Sequence, residues 1–177
     1  MKMRYVIDTN VLIAASAADP VNPADIDATP RDADLRKAVW DWLVSFEKCE
    51  SRLILDSELK ILDEYHNKLG FNDYGIQVIM HKMSTAALDN VSVQYDNDGH
   101  GIVPPSLETV VHDLADRKMV AAALISFSQF GEGCIAFAGD TDWHDWETEL
   151  CAHSLILEPI IEAWSRQKHA EKSKVKA

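Results

Sequence analysis

The 177-residue chain is short of cysteine, of basic residues and of long apolar runs. Three cysteines, Cys49, Cys134 and Cys151, are an odd count with no CxxC spacing. They read as free, mostly buried thiols and not as a disulfide framework or a zinc site. No segment approaches the ~18 consecutive apolar residues of a membrane span. The opening MKMRYVIDTN has no signal-peptide core, because its apolar run is short and ends in an aspartate. A soluble, cytoplasmic protein with no membrane partner is the expectation. There is no GxxxxGK[ST] or GxGxxG loop to cradle a nucleotide and no GxSxG elbow to present a nucleophilic serine. Bases are outnumbered 17 to 29, for a formal charge of −12, which speaks against a passive nucleic-acid binder with a basic field. It leaves room for an enzyme whose acids hold cations. The deficit is uneven: from Arg166 onward there are five bases and one acid, Glu171, so that tail carries +4 and the rest −16.

Apolar residues make up 47% of the chain, enough to bury a core, and the length suits one domain, expected over 1–165 with a frayed basic tail over 166–177. MRYVIDT (3–9) is a short apolar run ending in polar residues, a buried strand, and NVLIAASAA (10–18) continues as a helix with Thr9 or Asn10 as cap. Three prolines and five aspartates make 19–34 a loop. Helical spacing of Leu35, Val39, Trp42, Leu43 and Phe46 predicts a helix over 35–49. RLILD (52–56) is a second strand, after which Asp56 or Ser57 caps a helix through Leu69; another helix covers 73–88. VSVQY (91–95) alternates as a third strand and DNDGHGIVPP (96–105) is a loop. An apolar helix follows over 116–130, then strands at GCIAFAGD (133–140) and SLILEP (154–159), and a last helix from about Glu158 to Lys168. Strands that alternate with helices imply a mainly parallel five-stranded sheet covered on both faces, a three-layer α/β/α sandwich.

In such sheets, sites lie beyond the C-terminal ends of the strands. Asp8 ends the first strand, Asp140 and Asp142 end the fourth, and Asp116 opens the preceding helix with Asp113 one turn earlier. Carboxylates gathered at one sheet edge repel unless cations lie between them. Hard oxygen ligands favour Mg²⁺ or Mn²⁺, which lower the pKa of bound water and stabilise an in-line displacement at phosphorus. Each acid also has an ordinary reading. Asp8 can cap a helix, Asp116 can serve a helix dipole, and Asp140 and Asp142 can shape a turn. Glu64, four residues from both Lys60 and Lys68, reads as a salt-bridged surface residue. The segment from Asp140 hints at a calcium loop, but Asp145 and Cys151 stand where an EF-hand has glycine and glutamate.

YVIDTNVLIAA (5–15) resembles the opening motif of PIN-domain nucleases, in which an aspartate ends the first strand and a Thr/Ser-Asn pair follows. SELKILDEYHNKL (57–69) is similar to that family's helix with an acid before tyrosine, HDLADRKMVAAAL (112–124) to its Asp-x-x-Asp helix start, and FAGDTDW (137–143) to its Thr-Gly-Asp-x-Asp-Leu segment. The four come in family order and span residues 5 to about 160. The resemblance implies Mg²⁺- or Mn²⁺-dependent cleavage of RNA by Asp8, Glu64, Asp116 and Asp140, with Asp142 among the metal ligands. It raises Glu64 from surface residue to site acid. Ala138 stands at the family's Thr/Ser position, which removes a hydroxyl near the site, and Trp143, expected at the pocket rim, replaces its leucine. Loop 19–34 makes the chain longer than the compact toxin nucleases of bacterial toxin–antitoxin pairs, and so weakens the toxin role but not the fold.

The resulting expectation is a metal-dependent endoribonuclease. Thr9, Asn10 and Asp113 orient the ligands from behind. Arg117, Lys118, Lys60 and Lys68 are the candidates for phosphate contact. An antitoxin protein and a homo-oligomer are the expected partners, since helices 35–49 and 73–88 look incompletely covered in one small domain. Two alternatives stand beside it. One is a catalytically weak PIN-like module that binds RNA or protein. The other is a phosphatase of the haloacid-dehalogenase type, whose second aspartate is Asn10 here. His112 and His144 lie near these acids in sequence but read as structural or surface residues.

Overall fold

Strands buried on both faces need no polar alternation, and the apolar stretches of this chain supply such strands. In a computed structural model, which describes residues 1–176, β1 (Arg4–Ile7), β2 (Arg52–Asp56), β3 (Leu88–Val91), β4 (Cys134–Phe137) and β5 (Ile156–Pro159) form one sheet. Its order is β3-β2-β1-β4-β5, and every neighbouring pair is parallel. α1 (Thr9–Ala17) and α2 (Ala33–Lys48) join β1 to β2, and α3 (Lys60–Lys68) and α4 (Tyr74–Ser84) join β2 to β3. α5 (Pro105–Glu108) and α6 (Arg117–Phe130) carry the chain back across the sheet to β4; α7 (Asp142–Ala152) leads to β5 and α8 (Glu162–Lys176) follows.

The chain therefore builds outward from β1 through β2 to β3, then returns to the other flank of β1 for β4 and β5. Crossovers between parallel strands are right-handed, so this reversal sends the two sets of helices to opposite faces. α1 packs on α2 and α4, whereas α6 lies across β1, β2, β3 and β4, completing an α/β/α sandwich. The reversal also opens a crevice between β1 and β4 at their C-terminal ends, the place where open sheets of this kind hold ligands.

Local chemistry fixes the elements around that crevice. Asp56 at the end of β2 accepts the backbone N–H groups of Lys60 (3.0 Å) and Ile61 (2.8 Å) and so starts α3, as expected of it. Asp32 caps α2 through the N–H groups of Asp34 and Leu35. Two glycines permit close approaches beside the crevice. A Cβ on Gly139 would lie 2.4 Å from the Thr29 carbonyl oxygen, and one on Gly101 would lie 2.6 Å from the Lys118 Cα. The first brings loop 19–34 onto the end of β4, and the second brings the loop after β3 onto the start of α6.

Several expectations need correction. The third strand is Leu88–Val91 and not 91–95, because its pairing with β2 runs from Leu53↔Leu88 to Asp56↔Val91. Beyond it the chain leaves the sheet, and Tyr95 bridges to Gly101. Between the fourth and fifth strands, where no element is expected, residues 142–152 form the helix α7, which buries Trp143, Trp146 and Leu150. The basic segment from Arg166 is not frayed but helical through Lys176. Ion pairs within and beyond α8 hold it: Arg166 with Glu162 and Glu147, Lys168 with Glu171, and Lys172 with Asp142. Helices α2 and α4 bury Val39, Leu43, Phe46, Ile76, Val78 and Ile79 fully, whereas Trp40 and Trp42 are half-buried and Met80 is exposed. The three thiols are unbridged, but only Cys134 is buried. Among the described residues no helix is long and apolar enough to cross a membrane.

Candidate active site

Asp8 follows β1 directly, and Asp140 lies three residues beyond β4. Ile7 pairs with Ala136, and the Asp8 N–H donates to the Ala136 carbonyl at 2.9 Å, so both acids emerge at the same edge of adjacent strands. Asp8 does cap α1, its Oδ1 accepting the Asn10 backbone N–H at 2.8 Å. A cap alone would be solvent-facing, whereas Asp8 is 3% exposed and its Oδ2 accepts the Trp143 indole N–H at 2.7 Å. Trp143 is thus a fully buried clamp on Asp8 and not a residue of the pocket rim. No sequence signal marked that role, since it joins positions 135 residues apart.

α3 is locked to the same edge by Tyr65, whose hydroxyl donates to the Ile7 carbonyl at 2.5 Å. The preceding residue, Glu64, accepts the Thr9 hydroxyl through Oε1 and faces the Lys118 ammonium at 2.5 Å through Oε2. Asp63, by contrast, is exposed. Glu64 is therefore a residue of the crevice and not a solvated partner of Lys60 or Lys68. Asp116 occupies the cap position of α6, yet its carboxylate makes no capping hydrogen bond and its backbone is already helical. A side-chain cap, realised at Asp8, is not made at Asp116, which stays placed at the start of α6. Asp113 accepts the Ala115 N–H at 2.8 Å, and Asp140 accepts the Asp142 N–H at 2.8 Å, each shaping a short turn.

These acids act on one another. Burial, then the charges of Asp140 and Glu64, push the Asp8 carboxyl up to about 7, against the opposing bonds from Asn10 and Trp143. Burial, then Asp8, Asp113, Asp140 and Glu64, push Asp116 up to about 9. Asp140 is raised too, first by burial and then by Asp142 and Asp113, with Lys172 opposing. Among the described residues, neither Asp8 nor Asp116 has a basic partner. Carboxylates that crowd one another with little compensating charge are the donor chemistry that a hard divalent cation satisfies, so buried Asp8 and half-buried Asp116 and Asp140 fit Mg²⁺ or Mn²⁺. Asp142 stands outside this set: its Oδ1 pairs with Lys172, and its Oδ2 lies 3.8 Å from His112 Nε2.

Closeness distinguishes a second group. Asp96, Asp98 and His100 bring their ligand atoms within 4.8 Å of one another. The acids of the crevice are less tightly drawn, with Glu64 turned to Thr9 and Lys118. The Asp96 group is exposed or half-exposed, and local turn chemistry explains it. The Asp96 carboxylate accepts the N–H groups of Asp98 (2.9 Å) and His100 (2.8 Å), with the His100 ring at 3.3 Å.

The phosphate-contact candidates divide. Arg117 is committed to the carbonyls of Val111 (3.0 Å) and Glu108 (2.6 Å) and is a structural clamp. Lys118 neutralises Glu64. Lys60 and Lys68 line an open cleft of about 450 Å³ together with Asp63, Glu64 and Lys118, although Lys60 also lies 3.7 Å over the Tyr95 ring. On the Asp140 side, a second cleft of about 580 Å³ runs between loop 19–34, residues 139–141 and α8. A third hollow of about 250 Å³, lined by Ala17, Pro20 and Trp40 among others, touches none of the acids. His144 is buried and bonded to Ser165, and His112, which accepts the Trp146 indole N–H at 3.3 Å, is exposed, so the first is structural and the second a surface residue. Comparison with protein-family models, with curated proteins and with solved structures gives no match.

Proposed function

We propose that this protein is a metal-dependent endoribonuclease of the PIN-domain type, which hydrolyses phosphodiester bonds of single-stranded or structured RNA. One observation carries the reading. Asp8, Asp116 and Asp140 lie near enough at the reversal point of the sheet for charge to act between them, each held above the usual carboxylate range and the first two without a basic partner. Mg²⁺ or Mn²⁺, when bound, would supply an activated water and charge for the phosphoryl oxygens. Asp8, Asp116 and Asp140 hold the ion, and Asp142 stands as an outer acid tied to Lys172. Glu64 lies at the other flank, where Thr9 orients it and Lys118 offsets its charge. Trp143, and Asn10 through its backbone N–H, fix the Asp8 carboxylate from behind. Lys60 and Lys68 contact substrate phosphates along the cleft that Glu64 lines. RNA as the substrate, and a small antitoxin protein and a homodimer as partners, come from the motif resemblance.

The test is direct. Purified protein should cut single-stranded RNA with Mn²⁺ or Mg²⁺ and stop on addition of EDTA; equal cleavage in EDTA would refute the metal mechanism. The Lys118–Glu64 ion pair favours one second reading, a catalytically weak PIN-like binding module in which a lysine has taken the place of a cation. That reading is distinguished by RNA binding without Mn²⁺-dependent cleavage.

A further inference from the structure

α8 carries Trp164, Lys168 and Lys172 at four-residue steps, which sets them along one helix face at intervals of about 6 Å. All three line the cleft of about 580 Å³ on the Asp140 side. Arg31, from loop 19–34, lines it too, as do Gly139 and Thr141, the two neighbours of Asp140. The loop is seated there by design of the backbone, since only a residue without a Cβ lets the Thr29 carbonyl approach position 139. In a chain of net charge −12, three cations and one acid line this cleft, the cations in exposed or half-exposed pairs with Asp27, Glu171 and Asp142. The lining acid, Asp32, is occupied in capping α2. Lys172 is held towards the site by its ion pair with Asp142, and Trp164 is half-buried within the lining.

A flat aromatic surface followed by regularly spaced cations, all leading to an acidic site, matches single-stranded nucleic acid, whose bases stack while its phosphates pair with lysine. We propose that the cleft between α8 and loop 19–34 seats the substrate strand beside Asp140, with a base against Trp164 and phosphates on Lys168, Lys172 and Arg31. The inference rests on the nuclease reading of the acids and assigns α8 and the loop a share in substrate binding.

The experiment measures binding of a dye-labelled single-stranded RNA to the full chain by fluorescence anisotropy, in EDTA, across a series of salt concentrations. The Lys168→Ala/Lys172→Ala double variant should bind at least tenfold more weakly. The slope of log affinity against log salt should fall in magnitude by about 1.4, at about 0.7 per lost phosphate contact. Lys48→Ala, on exposed α2 surface away from the cleft, should match the parent in both. Trp164→Phe should lose the part of the tryptophan quenching that RNA produces in the parent. Lys172 also pairs with Asp142, so Lys172→Arg, which keeps both charge roles, should bind as the parent does. If the double variant melts early, Lys168→Glu alone, whose ion-pair partner Glu171 is on the surface, replaces it. Parent-like affinity and salt slope in the double variant, or in Lys168→Glu where that replaces it, alongside intact Mn²⁺-dependent cleavage, overturn this assignment and leave the nuclease reading standing. A parent chain that neither binds nor cuts RNA overturns both.

Discussion

Replacing Asp116 with asparagine removes one charge from the acid set without changing the shape of the side chain. The Asp116 carboxyl is held at about 9 by burial and by Asp8, Asp113, Asp140 and Glu64, so the folded, metal-free protein binds a proton that the unfolded chain does not. With the unfolded value near 3.9, stability falls as pH rises from about 4 through the folded value, and the penalty is fully present above it. At pH 7 the gap to the unfolded value is about three units, or about 4 kcal/mol at 1.36 kcal/mol per unit. One proton relieves Asp8 and Asp140 as well, so the share owed to Asp116 alone is about 1–3 kcal/mol. The opposing loss is small, because Asp116 makes no capping hydrogen bond. Protonated at pH 7, it also brings little charge to the start of α6, where a full charge would be worth about 0.3–1 kcal/mol. Asp116→Asn should therefore melt about 2–12 °C above the parent in EDTA at pH 7–8, at about 2–4 °C per kcal/mol for a chain of this size. The two proteins should converge near pH 4. Added Mn²⁺ should raise the parent's melting temperature and raise the variant's less. A variant that melts below the parent in EDTA, yet gains as much from Mn²⁺, would reduce Asp116 to a helix-start residue and displace the site.

Other outcomes follow from the same geometry. Glu64→Gln should abolish cleavage, whereas exposed Asp63→Asn should not; the reverse result in a single-turnover RNA assay would move the site acid by one residue. Trp143→Phe deletes the indole donor to Asp8 and should cost about 1.5–3 kcal/mol in a denaturant melt from that charged hydrogen bond alone. It should also weaken Mn²⁺ binding about 10–100-fold by titration, so unchanged metal affinity would deny the clamp its role. The resemblance carries an expectation of a homodimer, and the apolar residues that α2 and α4 leave uncovered include Met80 and, in part, Trp40 and Trp42. Light scattering that gives a strict monomer at micromolar concentration, with no co-purifying partner, would count against that expectation.

The acids of the crevice show how far linear sequence reaches. Asp8 and Asp140 could be placed because each follows a recognisable apolar strand, and the C-terminal ends of parallel strands share an edge. Glu64 could not be chosen from spacing, since Lys60 and Lys68 at four residues make it look like a surface residue; a motif resemblance alone selected it. What settles its orientation is Tyr65, anchored on the Ile7 carbonyl, which turns the helix so that Glu64 meets Thr9 and Asp63 meets solvent. α7 was legible in principle from Trp143, Trp146 and Leu150 at helical spacing, but four aspartates and glutamates within it and the turn at Asp140 masked the pattern.

The sequence by itself determined the class of fold. Short apolar runs separated by helical ones leave a covered parallel sheet as the arrangement that buries them, and the strand ends then put the aspartates at one edge. The strand order, the reversal beside β1 and the third strand's start at Leu88 and not at Val91 depend on pairing between segments far apart in the chain. So do the Trp143–Asp8 clamp, the Lys118–Glu64 pair and the continuation of α8 to Lys176 against Asp142 and Glu147. Periodicity and capping act within one or two helical turns and are written locally. Charge pairing and burial act through space, so which acids lose their solvent and which gain a cation was decided only when the chain closed on itself.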